Sequence, residues 1–315
     1  MKSYLAIAAT ALTLAGPVFA EGFGPLLTPS ELDAEIATLD PLILDIRTDK
    51  GADDRPIYEE GHIPGAVAAP YGLFRGPASN PGALLSPDKL NETLRGLGVT
   101  QERPVVVVHQ GKDESDFGAA ARVYWTLKSS GVSQLAILNG GMRAWEAAKL
   151  PVTVDKTDPT PSEADFTFAD TWLATTDDVK AIVDGEEVAK LIDARPEEFW
   201  KGEKGHGAAA KPGTLPQSEY FTHSRWFSDD PTLIDAAGAK TLAEENGYDN
   251  GDALVSFCNT GHWAATNWFA LSELAGIEGV KLYPDSMVAW SNADLPMQNV
   301  PGAAARIWNS IKGTF

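Results

Sequence analysis

The residues best suited to covalent chemistry lie in one stretch, Cys258-Asn259-Thr260-Gly261-His262-Trp263-Ala264, and Cys258 is the only cysteine in a chain of 315 residues. The apolar run Ala253 to Phe257 before it reads as a buried strand, and the helix-forming run from Ala264 to Leu274 after it reads as a helix. A loop that enters a helix N-terminus turns N–H groups and the positive end of the helix dipole into its own concavity. A thiol placed there is expected to be held as the thiolate, a nucleophile near neutral pH. The plain alternative is a small buried cysteine after an apolar strand.

The neighbours of Cys258 extend this reading. The backbone N–H groups of Asn259 to Ala264 are candidates for an anion nest around the sulfur. Gly261 suits a tight curl that asks for positive φ, or is an ordinary turn glycine. Thr260 offers a hydroxyl to a leaving group. His262 offers a donor or a cation that titrates near neutral pH, or else faces solvent. Trp263 either walls a pocket or packs at a domain interface. A cysteine phosphatase would need an arginine at the end of this loop to clamp phosphate, and the loop ends in Trp263-Ala264 instead.

The elements that must position this loop occur in order along the chain, twice. In the first pass, Thr28-Pro29-Ser30-Glu31 starts a helix with Thr28 as its N-cap. Leu42 to Arg47 is a short strand with a charged end, Gly61 to Val67 a turn into another strand, and Ser86 to Leu97 a helix capped by Ser86. Pro104 to Val108, Phe117 to Ser130 and Leu135 to Leu138 read as strand, helix and strand, and Gly140-Gly141-Met142-Arg143-Ala144-Trp145 opens a last helix. A linker rich in Pro, Thr and Asp runs from 151 to 172 and is expected to wrap over the first domain. The order then returns: a helix capped by Thr176, a strand ending Asp193-Ala194-Arg195, and Gly205-His206-Gly207 with Lys211 to Pro216 as a loosened copy of the Gly61 turn. A helix over 233–247, the strand before Cys258, the strand Val280 to Tyr283 and Ser286-Met287-Val288-Ala289-Trp290 complete it. Strands alternating with helices imply an α/β fold in which each parallel sheet is covered by helices on both faces. In this match His109 falls where Cys258 falls.

Composition narrows the function classes. The formal net charge of −19 repels nucleic acid and anionic membrane, so neither is an expected partner. It also repels a small anion unless cations stand near Cys258. Residues 1–20 read as a secretory signal peptide cut after Ala20, followed by an exported, periplasmic or secreted, protein. A single cysteine excludes an intramolecular disulfide.

The Asp-x-Arg strand ends, the Gly-His-Ile-Pro-Gly-Ala turn, the cysteine loop and the Gly-Gly-x-x-x-Trp turn, in that order and repeated, resemble the rhodanese family. The resemblance implies two tandem rhodanese-like domains: 21–150, without the thiol, and 173–315, catalytic. It implies a sulfurtransferase of thiosulfate or 3-mercaptopyruvate type, without a cofactor. Cys258 would take a sulfane sulfur from a small anionic donor, become a persulfide and pass the sulfur to a thiophilic acceptor. Arg195 would contact the anionic end of the donor, Asp193 would order the loop, and Lys201 and Lys204 are nearby cations. The loop shares Thr260, Gly261 and Ala264 with mercaptopyruvate-type members, and departs from them at Asn259, His262 and Trp263. His109 reads as a hydrogen-bonded, non-catalytic histidine, with no ligand cluster for a metal around it. The rival reading is a persulfide carrier or binding module that docks to another exported protein, suggested by the acidic surface and the amphipathic tail Ala303 to Ile311.

Overall fold

A computed structural model describes residues 23–228, 232 and 235–302. The segment 1–20, the tail from Ala303 to Ile311 and Leu233 lie outside the described residues.

In the first half, β1 (Leu26–Leu27), α1 (Pro29–Leu39), β2 (Leu42–Asp45), β3 (Val67–Ala68), α2 (Pro87–Gly96), β4 (Val105–Val108), α3 (Glu114–Ser129), β5 (Leu135–Leu138) and α4 (Gly141–Ala147) build a parallel sheet of order β1-β5-β4-β2-β3. The second half repeats the plan with α5 (Thr176–Asp184), β6 (Lys190–Asp193), α6 (Glu197–Trp200), β7 (Glu219–Tyr220), α7 (Ala236–Glu245), β8 (Leu254–Phe257), α8 (Trp263–Trp268), β9 (Val280–Leu282) and α9 (Ser286–Asn292). Its sheet is also parallel, in the order β7-β6-β8-β9. Every residue of β2, β4, β5 and β8 is buried. Covering both faces of a parallel sheet demands such continuous apolar runs.

Local chemistry sets the helix starts. Thr28 and Glu31 close a capping box, and Ser86 caps α2 ahead of Pro87. Two expected starts move. The cap of α5 is Thr175, which exchanges hydrogen bonds with Asp178, rather than Thr176. Helix α7 begins at Ala236, because the Asp235 side chain accepts from the Gly238 N–H.

The linker lies along the first domain. Thr153 pairs with His62, Asn91 bonds the Phe166 backbone in both directions, and Ala169 N–H donates to Ser129.

The two domains share one core, because buried residues from both belong to a single apolar cluster. Helix α3 packs on the segment Trp263 to Leu274, whose first half is α8 and whose second half is wound as a π-helix. Gly118 lets the two elements approach, since a Cβ there would lie 3.0 Å from His262, and Phe117 and Tyr124 set their edges on Phe269 at 5.6 and 5.0 Å. At the rim Glu273 accepts from the Tyr124 hydroxyl and from Lys128, at 2.8 and 2.6 Å. Apolar interfaces of this kind resist hinge motion.

Candidate active site

Cys258 follows β8 directly, at the carboxyl end of the sheet, where open α/β sheets place their ligands. Its N–H donates to Ser286 Oγ at 3.0 Å, and that hydroxyl donates to Tyr283 O at 2.7 Å. The loop carbonyls are then held from outside. The N–H groups of Met287 and Val288 donate to Cys258 O and Asn259 O at 3.1 Å. Arg75 Nη2 donates to Thr260 O at 2.9 Å and Arg122 Nη1 to Gly261 O at 3.4 Å. With the carbonyls drawn outward, the amides are left: the N–H groups of Asn259, Thr260, Gly261 and His262 donate to no protein acceptor among the described residues. Gly261 has the expected positive φ, +65°, and a Cβ there would lie 2.5 Å from Arg122 Nη1 and 2.7 Å from Pro284.

A cavity of about 320 Å³ opens in front of the thiol. It is lined by Cys258, Asn259, Thr260, His262 and Trp263, and by Arg75, Pro81 and His206. Cys258 is 1% exposed and borders this space. Gly261 and Ala264 shape the loop from behind and do not line the cavity.

Arg195 stands elsewhere. Its guanidinium donates to both oxygens of Asp193, at 2.8 and 2.6 Å, to Gly213 O at 2.9 Å and to Asn259 Oδ1 at 3.2 Å. It is 2% exposed and does not line the cavity, so the geometry moves it from the donor contact to the support of the loop. The first domain repeats the arrangement without a thiol: Arg47 donates to Asp45, Gly61 O and Gln110 Oε1. Asp193 is the loop-ordering carboxylate expected of it, and it also accepts from Thr214 Oγ1 at 2.7 Å. Lys201 and Lys204 pair with Glu197 and Glu198 outside the cavity.

The Arg47 and Arg195 contacts also fix the register of the repeat. Within the loosened copy, Gly213 is the counterpart of Gly61, and Thr214 pairs with Gln298 as His62 pairs with Thr153. Gly205-His206-Gly207 is therefore an insertion, and it brings His206 to the thiol's cavity.

The histidines of the site are neutral. His262 Nε2 lies 2.7 Å from the Ser115 carbonyl, which only accepts, so the proton sits on Nε2 and Nδ1 accepts from the Tyr71 hydroxyl at 3.1 Å. Burial, with the charge of Arg75 second, pushes its pKa down to about 3, so it does not serve as the cation expected near neutral pH. His223, lowered by burial to about 4, stacks on the Trp263 ring at 5.0 Å. Trp263 lines the cavity, and its Nε1 donates to Ser115 Oγ of the first domain at 2.7 Å.

The corresponding loop of the first domain is closed by its own side chains. Met142 and Arg143 donate to His109 O and Gln110 O as Met287 and Val288 do to Cys258 and Asn259. Here, however, the Asp116 carboxylate accepts from the loop amides of Gly111 and Lys112, at 2.6 and 3.3 Å, filling the place of an external anion. His109 is 1% exposed and, among the described residues, neither ring nitrogen has a hydrogen-bond partner, unlike the bonded histidine expected. Burial lowers its pKa, and it faces a separate cavity of about 220 Å³ with Asp49, Lys112, Asp113 and Asp116.

Two tandem parallel α/β domains, one with a thiol on a strand-to-helix loop and one without, define the class. The Rhodanese-like domain model matches residues 28–148 and 175–293, and the chain belongs to the rhodanese family. It is similar to the putative thiosulfate sulfurtransferase SseB of Mycobacterium tuberculosis, 27% identical over 275 residues, covering 85% of this chain and 94% of that one. It is also similar to the 3-mercaptopyruvate sulfurtransferase of Escherichia coli, 28% identical over 275 residues, covering 82% and 92%. The crystal structure of SseA from Escherichia coli shares the fold, with a TM-score of 0.70 at 24% identity over 83% of this chain and 98% of that one.

Proposed function

We propose that the protein is an exported sulfurtransferase that moves a sulfane sulfur from thiosulfate, or a donor like it, to a small thiophilic acceptor through a persulfide on Cys258. One observation carries this reading. The only thiol borders a cavity beside four loop amides with no protein acceptor among the described residues, whereas in the thiol-less domain Asp116 accepts from two of the matching amides, those of Gly111 and Lys112. Unpaired N–H groups around a sulfur suit an anion that the resting protein does not supply.

The steps balance without a cofactor. The Cys258 thiolate attacks the outer sulfur of thiosulfate. The S–S bond of the donor breaks and sulfite leaves with the electron pair. The terminal sulfur of the persulfide carries the negative charge, next to the loop amides and the Thr260 hydroxyl. A thiophile such as cyanide then attacks that sulfur, thiocyanate forms, and the thiolate returns.

The test is formation of thiocyanate from thiosulfate and cyanide, with Cys258→Ser expected to abolish it. Undiminished turnover by that variant would remove the reading. A donor panel including 3-mercaptopyruvate fixes the donor class. Export is supported by the sequence of residues 1–20, and N-terminal sequencing of the protein from a periplasmic fraction should begin at Glu21.

A further inference from the structure

We infer that Arg75, a residue of the domain that has no thiol, is the anion-binding residue of the Cys258 site and selects negatively charged donors. This rests on Cys258 being the reacting atom. Arg75 is the only Arg or Lys among the residues lining the cavity, and it is partly buried there. Nη2 is fixed on Thr260 O at 2.9 Å, and the guanidinium carbon lies 5.2 Å from the centroid of the Tyr71 ring. Nη1 is buried and has no hydrogen-bond partner among the described residues. A buried charged donor left unpaired is costly, and a ligand oxyanion would satisfy it.

The competing cations are accounted for. Arg195 is consumed by Asp193, Gly213 and Asn259, and Arg47 makes the same set of contacts where no thiol exists. Arg122 lies behind the loop, bonded to Gly82 O and Gly261 O. His206 and His262 line the cavity as neutral rings, and the charge of Arg75 helps to lower both. A chain with a net charge of −19 thus meets an anionic donor with one local positive charge.

The test uses the full chain and the single thiol. Iodoacetate and iodoacetamide alkylate the same sulfur and differ in charge. In Arg75→Gln the rate ratio of iodoacetate to iodoacetamide should fall by about tenfold or more, the usual size of a lost charged hydrogen bond. The KM for thiosulfate should rise by a similar factor, with kcat changed less. Arg75→Lys, which keeps the charge but loses the two-pronged fork, should give a ratio between those of Arg75→Gln and the native chain, and Arg55→Gln, an exposed charge away from the cavity, should leave it unchanged. A purely structural role for Arg75 would slow or speed both reagents together. An unchanged ratio in Arg75→Gln overturns the inference. If that variant does not fold, protection of Cys258 from iodoacetamide by sulfate decides. Protection should be several-fold weaker in Arg75→Lys than in the native chain, and equal protection overturns the inference. Alkylation needs no sulfur transfer. A ratio that depends on Arg75 in a chain inert to every donor would therefore refute the sulfurtransferase reading and leave this one standing.

Discussion

The Cys258 N–H is held by Ser286 Oγ at 3.0 Å, from a serine whose own φ is +51°. The first domain has Gly141 at the matching place, with φ +60°. A non-glycine residue in the left-handed region costs about 1 kcal/mol or more. The serine is strained, and in return it fixes the residue that carries the sulfur.

Ser286→Ala should keep the strain and lose the bond, lowering stability by about 1–3 kcal/mol. Ser286→Gly should come closer to native stability, because relief of strain offsets the lost bond. Both should turn over more slowly than the native protein. Urea unfolding together with thiocyanate formation checks this, and a fully active Ser286→Gly would show that the hydroxyl does not position the thiol.

Arg47 and Arg195 should behave alike despite only one having a thiol in its domain. Removing either leaves a buried carboxylate, Asp45 or Asp193, without its partner. Arg47→Ala and Arg195→Ala should each cost about 3–5 kcal/mol, read as a fall in Tm. If Arg195→Ala keeps native stability and raises only the KM for the donor, the supporting role argued for Arg195 is wrong.

Stability should depend on pH below neutrality. His262 and His223, at about 3 and about 4 in the folded chain, lie below their ordinary value of 6.5. Below pH 6.5 the unfolded chain takes up protons that the folded chain refuses. The contribution is therefore fully present above that pH and is lost as pH falls toward the folded values. Each ring adds at most about 1.4 kcal/mol per pH unit. His109 and His206 shift in the same direction. Urea midpoints at pH 7.5, 6 and 5 measure the slope; a flat line would contradict neutral buried histidines. The pH profile of kcat/KM should show no histidine limb between pH 5 and 8.

Gly261→Ala should damage the loop. The new methyl would meet Arg122 and Pro284 within 2.7 Å, at a φ of +65°. We expect a stability loss of at least about 1–2 kcal/mol, with slowed alkylation of Cys258. An alanine variant with native reactivity would mean that the curl tolerates a side chain.

Much of this was legible in the chain because it is local. The capping box at Thr28, the buried four-residue strands, the cysteine at a strand end and the glycine after Thr260 are set by neighbours in sequence. Arg75 and His206 were not, because each reaches the thiol through packing or insertion. Arg75 follows a short turn of the other domain and arrives only when α3 meets α8. His206 sits in an insertion that widens the spacing from the strand-end arginine to its glycine, from 14 residues for Arg47 and Gly61 to 18 for Arg195 and Gly213. That longer spacing was the one available signal. The contacts of Arg195 with Asp193, Gly213 and Asn259 were hidden for a related reason: a resemblance transfers a position, while the contacts made there depend on which side chains fill the surrounding space.

The shared cluster around Phe117, Tyr124 and Phe269 bears on how the molecule comes apart. Neither half can melt while the other keeps its interior dry, so heating should give one calorimetric peak rather than two. The half without a nucleophile is thereby kept as ballast and as wall: discarding it would strip the thiol of its surroundings and the remaining sheet of much of its shelter from water.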